Sequence, residues 1–93
     1  SGAEFYEKAY AKRIALLVDD SKPGTTIFFD ITRGAEIAEN IGVEPDFQIK
    51  NNLITIKLSK AKGSTDSFFK DSDVSVKYLK TTKTRTRART TLY

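Results

Sequence analysis

The chain has 93 residues, 39% of them hydrophobic and 30% charged, with a formal net charge of +4. That is one domain with room for a single modest core. It contains no Cys, no His and no Met, which excludes disulfide and zinc–thiolate frameworks and removes the usual general base and commonest metal ligand.

Six Phe and four Tyr argue for a packed globule over disorder. The longest apolar run, Ile14-Ala15-Leu16-Leu17-Val18, is far short of a membrane span, so no membrane partner is expected. The lack of Met, with Ser1-Gly2 reading as a cleavage remnant, gives the expectation of an excised domain or processed fragment.

Residues 3–18 predict an amphipathic helix. Ala3, Tyr6, Tyr10, Ile14 and Leu17 recur at spacings of three and four, and Ala9 and Leu16 widen the stripe. Glu4 and Glu7 near its start suit the helix dipole, and Pro23-Gly24 stops it. Residues 25–31 alternate as a strand, with Ile27, Phe29 and Ile31 on one face and Phe28 and Asp30 on the other. A second helix follows at 33–41, with Thr32 as N-cap and Gly42 as C-terminal stop.

The stretch from Ala35 to Val43 resembles the first helix and turn of a helix-turn-helix motif, with a small Ala before the turn and Gly42 at its corner. The recognition helix such a motif needs is absent from the pattern, because residues 46–58 alternate with period two around Asn51-Asn52. A two-residue turn there pairs Lys50 with Leu53, Ile49 with Ile54 and Phe47 with Ile56, and Asn tolerates the positive φ of a type I′ turn. Residues 59–73 have loop composition, except for Phe68-Phe69, one of which anchors the loop. Residues 74–80 then alternate as a strand.

The charge is uneven. Residues 1–80 carry 12 basic and 12 acidic side chains; residues 81–93 carry Lys83, Arg85, Arg87 and Arg89 and no acid. As a single strand this run presents one cationic edge and one β-branched edge, a plausible phosphate-binding ladder. No Gly or Pro interrupts it, so one long strand or a hairpin turning near residues 81–84 are both open.

Chemistry for catalysis is thin. The carboxylate pairs Asp19-Asp20 and Asp71-Ser72-Asp73 suit turns better than magnesium. Pro45-Asp46 matches the start of the PD-(D/E)xK nuclease motif, but its acid-x-Lys half is missing. The five Gly are isolated, so no phosphate loop exists. No enzyme and no cofactor are expected.

The expected architecture is α+β: two helices packed on an antiparallel β-sheet, with a central β-hairpin and a basic C-terminal strand. Residues 1–80 make the compact body and 81–93 a basic strand or tail of the same domain. A winged-helix-like arrangement is the runner-up, decided by whether residues 46–52 are helical. The expected core is Tyr10, Ile14, Leu17, Ile27, Phe29, Ile31, Ala38, Ile41, Phe47, Ile49, Ile54, Ile56, Leu58, Val74, Val76 and Tyr78.

The expected function is non-catalytic nucleic-acid binding, DNA or RNA, through Lys80, Lys83, Arg85, Arg87 and Arg89. Phe28 and Phe68 are candidate base-stacking rings. The alternatives are a protein-interaction or assembly module that adds its edge strand to a partner's sheet, and a regulatory tail carrying the basophilic kinase pattern Arg85-x-Arg87-x-x-Thr90.

Overall fold

The computed structural model describes the backbone of residues 2–68, 73–84 and 87–92, and the side chains of residues 2–68 and 73–81. The elements run α1 (Ala3–Asp20), β1 (Thr26–Asp30), α2 (Thr32–Asn40), β2 (Asp46–Lys50), β3 (Leu53–Lys57), β4 (Ser64–Ser67), β5 (Ser75–Thr84) and β6 (Arg87–Leu92). The class is α+β. The strands divide, however, into two three-stranded sheets instead of one: β2-β3-β4, wholly antiparallel, and β1-β5-β6, in which β1 and β5 are parallel. Parallel neighbours need a long crossover, and α2 with the entire first sheet supplies it.

The hairpin forms in the register read from the sequence, with Phe47 opposite Ile56 and Ile49 opposite Ile54. Asn51 and Asn52 both take positive φ, 52° and 61°, as a type I′ turn requires. Residues 46–50 are strand, so the recognition helix of a winged-helix arrangement is not in that place. The loop expected at 59–73 contains β4, which pairs with β3. Its sequence, Ser-Thr-Asp-Ser, has no apolar alternation to announce it.

Helix α1 buries a stripe rotated from the expected one: Ala3, Glu7, Tyr10, Ala11, Ile14, Ala15 and Val18. Leu16 and Leu17 stay exposed, because small Ala side chains let the helix lie close to the β2-β3-β4 sheet. Ile41, at the end of α2, and Ile49, on edge strand β2, are likewise exposed. Ile27, Phe47, Val74 and Val76 are only half-buried against the core.

Two aromatic contacts knit the layers: Phe47 stacks on Tyr78 across the two sheets, centroids 4.4 Å apart, and Tyr10 meets Phe29 edge-on at 5.4 Å. Burial pushes the Tyr78 hydroxyl up to about 12.

Two polar devices fix α1. Glu7 is buried, and its Oε2 accepts from the Leu58 amide (2.7 Å), the Ser59 amide (2.9 Å) and the Ser59 hydroxyl (2.9 Å). A buried carboxylate is tolerated when it is hydrogen-bonded in this way. The Gly34 amide donates to the Tyr10 hydroxyl at 3.0 Å. Gly34 lies so close to Tyr10 that a Cβ there would stand 2.6 Å from the ring.

Helix α2 closes with a Schellman motif. The Val43 amide donates to Ala38 O and the Gly42 amide to Glu39 O, with Gly42 at φ +76°.

Candidate nucleic-acid interface

Strand β5 is longer than the strand it pairs with on one side. Its residues Ser75 to Leu79 lie against β1, and Leu79 to Thr84 lie against β6. Beyond Leu79 the β1-β5-β6 sheet is therefore a two-stranded ribbon. The five pairs from Lys80↔Thr91 to Thr84↔Arg87 span about 17 Å at about 3.4 Å per residue.

The ribbon's root is tied to the body. The Thr81 amide donates to the Thr32 hydroxyl at 2.9 Å. That hydroxyl donates in turn to Asp30 Oδ1 at 2.6 Å, and the Thr32 amide donates to the same oxygen at 2.8 Å. Thr32 is thus the first residue of α2 and not its cap, because Asp30 takes up the free amide. Both bonds from Thr32 hold the Asp30 carboxyl below its ordinary value. Lys80 forms an ion pair with Glu39 at the other end of α2, and its side chain is only 13% exposed. Lys80 is accordingly engaged within the fold.

The chain reverses between Thr84 and Arg87, later than residues 81–84, and this redistributes the charges. In one continuous strand Lys83, Arg85, Arg87 and Arg89 would share a face. Two residues separate β5 from β6, so each cross-strand pair joins an odd to an even position, such as Lys83↔Ala88, Thr82↔Arg89 and Thr84↔Arg87. Cross-strand partners share a face. Positions 87 and 89 therefore fall on the face of Thr82 and Thr84, while position 83 falls on the other. By register, position 83 and positions 87 and 89 thus belong to opposite faces of the ribbon. Arg85 lies outside the described residues.

The two candidate stacking rings part company. Phe28 is 60% exposed on the outer face of β1, opposite Lys77. Phe68 is half-buried, packs on the core, and donates its amide to Asn52 O at 3.1 Å. It is the residue that anchors its loop; Phe69 lies outside the described residues.

A cleft of about 550 Å³ runs beside Phe28, between Arg13 and Leu17 of α1 and Arg33 and Glu36 of α2. Sequence reading missed it, because Arg13 and Arg33 are far apart in the chain and signal nothing singly. Among the described residues no group of three or more acidic side chains is placed to hold a metal ion, and no helix is long and apolar enough to cross a membrane. No protein-family model, curated protein or solved structure matches the chain.

Proposed function

We propose that the chain is a non-catalytic nucleic-acid-binding domain whose β5–β6 ribbon enters a groove of duplex DNA. The observation that supports the reading is the β5–β6 register, which assigns position 83 to one face of the ribbon and positions 87 and 89 to the other. A ribbon lying flat on one strand would use one face. A ribbon seated in a groove has a phosphate backbone on each side.

The major groove of B-DNA, about 12 Å wide, admits a two-stranded ribbon, and the deep, narrow major groove of A-form RNA does not. Lys83, Arg85, Arg87 and Arg89 supply the phosphate contacts, and Lys80 holds the ribbon root through Glu39. The body is neutral, so the field is confined to the ribbon.

The test is a salt series by fluorescence anisotropy on duplex DNA, duplex RNA and single strands. Four phosphate contacts give a log–log slope of about −3 to −4 on duplex DNA, with weaker binding to duplex RNA. Salt-independent binding, or none at low salt, would overturn the reading.

A further inference from the structure

Among the described residues no strand pairs with the outer edge of β1, and this feature does not depend on the nucleic-acid reading. The Ser75 amide donates to Thr25 O at 3.0 Å and the Ile31 amide to Leu79 O at 2.8 Å. Odd-numbered residues of β1 therefore bond β5, and the N–H and C=O groups of Thr26, Phe28 and Asp30 point away from the sheet. β1 is the end strand in the order β1-β5-β6.

Sheet edges are normally blunted by Lys, Pro, a bulge or a covering element. Edge strand β2 carries Asp46 and Lys50 and follows Pro45, β4 packs beside α1, and β6 carries Arg87 and Arg89. β1 reads Thr-Ile-Phe-Phe-Asp, with one charge, Asp30, at its end; among the described residues it has no Lys, Pro, bulge or covering strand, and Phe28 stands 60% exposed beside it.

We infer that β1 is a homodimerisation edge, which pairs antiparallel with β1 of a second copy about a two-fold axis at Phe28. Centred there, Phe28 lies opposite the partner's Phe28, and Thr26 lies opposite the partner's Asp30 on both sides of the axis. All three outward residues then fall in hydrogen-bonded pairs, each exchanging both N–H···O bonds, and no like charges meet.

The cleft along this edge is also self-complementary. It offers Arg13 and Arg33 together with Asp30 and Glu36, two charges of each sign. Such balance suits an isologous interface, since each patch meets itself reversed. An anionic nucleic-acid strand would instead favour an excess of cations. The pairing joins the two β1-β5-β6 sheets into one and places the basic ribbons at its opposite ends.

Sedimentation equilibrium from micromolar to millimolar concentration tests this. The parent chain should approach twice 10.4 kDa. Phe28→Lys, which sets like charges face to face on the axis, should stay at 10.4 kDa and melt as the parent does at concentrations where the parent is monomeric. The double variant Arg87→Ala/Arg89→Ala should still dimerise, which separates this inference from the nucleic-acid reading. Because the chain has no cysteine, nitroxide labels at Phe28→Cys and at Leu53→Cys can be compared by pulsed EPR. The Phe28→Cys labels should give the shorter interlabel distance.

A parent chain monomeric throughout would overturn the inference. So would a dimer that Phe28→Lys leaves intact, or a Phe28→Cys distance no shorter than that of Leu53→Cys. Monomers whose oligonucleotide binding falls on Phe28→Lys would assign the cleft to nucleic acid instead.

Discussion

The Thr81 amide and the Thr32 hydroxyl, 49 residues apart in sequence, meet at 2.9 Å where the β5–β6 ribbon leaves the body. The bond joins the last part of β5 covered by the body to the first residue of α2. Asp30 completes the relay by accepting from both the amide and the hydroxyl of Thr32. Ribbon and helix are thereby held in one fixed relation.

Thr32→Val should remove both bonds of the Thr32 hydroxyl, from the Thr81 amide and to Asp30, at a cost of about 1–3 kcal/mol for the two. Amide exchange at Thr81 should rise more than at Phe29, a local loosening that denaturant melts alone would not reveal.

The Asp30 carboxyl is held below its ordinary value, chiefly by the Thr32 hydroxyl. A carboxylate with a depressed folded pKa contributes stability above its unfolded pKa and loses it as pH falls through the folded one. Below about pH 4 the parent should therefore lose stability relative to Asp30→Asn, and the two melting-temperature curves should converge on acidification. Parallel curves would show that the Thr32 bonds do not favour the ionised form.

Gly34→Ala inverts the usual rule for helices. An Ala in place of a helical Gly normally stabilises by about 1 kcal/mol. Here the added Cβ would stand 2.6 Å from Tyr10 Cε2 and 2.8 Å from Leu58 Cδ1, so overpacking should destabilise by about 1–3 kcal/mol. Urea denaturation would give the sign directly.

Glu7→Ala should strand the Leu58 amide and both Ser59 donors in the interior, at a cost of about 1–3 kcal/mol for each group left unsatisfied. Glu7→Gln keeps one acceptor oxygen and should cost less. A Gln variant as damaged as the Ala variant would mean that the charge, not the acceptor, matters at this site.

On duplex DNA, Arg87→Ala/Arg89→Ala should flatten the salt slope by about two units, and Lys83→Ala alone by about one. The Lys83 variant is the sharper measurement, because a ribbon docked on one face would leave its slope untouched. All three positions lie on the two-stranded ribbon beyond β1, and surface substitutions usually shift stability by less than about 0.5 kcal/mol.

What could be read in advance follows the range of the interactions involved. The β2–β3 register was legible because alternation and Asn51-Asn52 fix it within thirteen residues, 46–58. The buried stripe of α1 was displaced because Ala11 and Ala15 outcompete Leu16 and Leu17 for close approach, and because Glu7 finds three donors far away in sequence. Apolar size alone cannot encode either fact.

β4 has no apolar face to read. The parallel β1–β5 pair left no local trace either, since Thr26 and Ser75 are adjacent only in space. For the candidate site, the cationic alternation was plain, but the faces on which those cations fall depend on where the chain turns. The Arg13–Arg33 cleft exists only once α1 and α2 are in place.

The parallel pairing of β1 with β5 also orders the events of folding. Closing a contact between Thr26 and Ser75 orders a long intervening chain before any reward, whereas β2, β3 and β4 pair with immediate neighbours. The meander is therefore expected in the rate-limiting nucleus, and the crossover pair after it. Ile54→Ala should chiefly slow refolding, and Val76→Ala should chiefly hasten unfolding. Stopped-flow chevrons of the two variants should diverge on opposite limbs. A chain interrupted before residue 75 would already hold the instructions for its meander, yet it would lack the strand that the basic ribbon needs as its root.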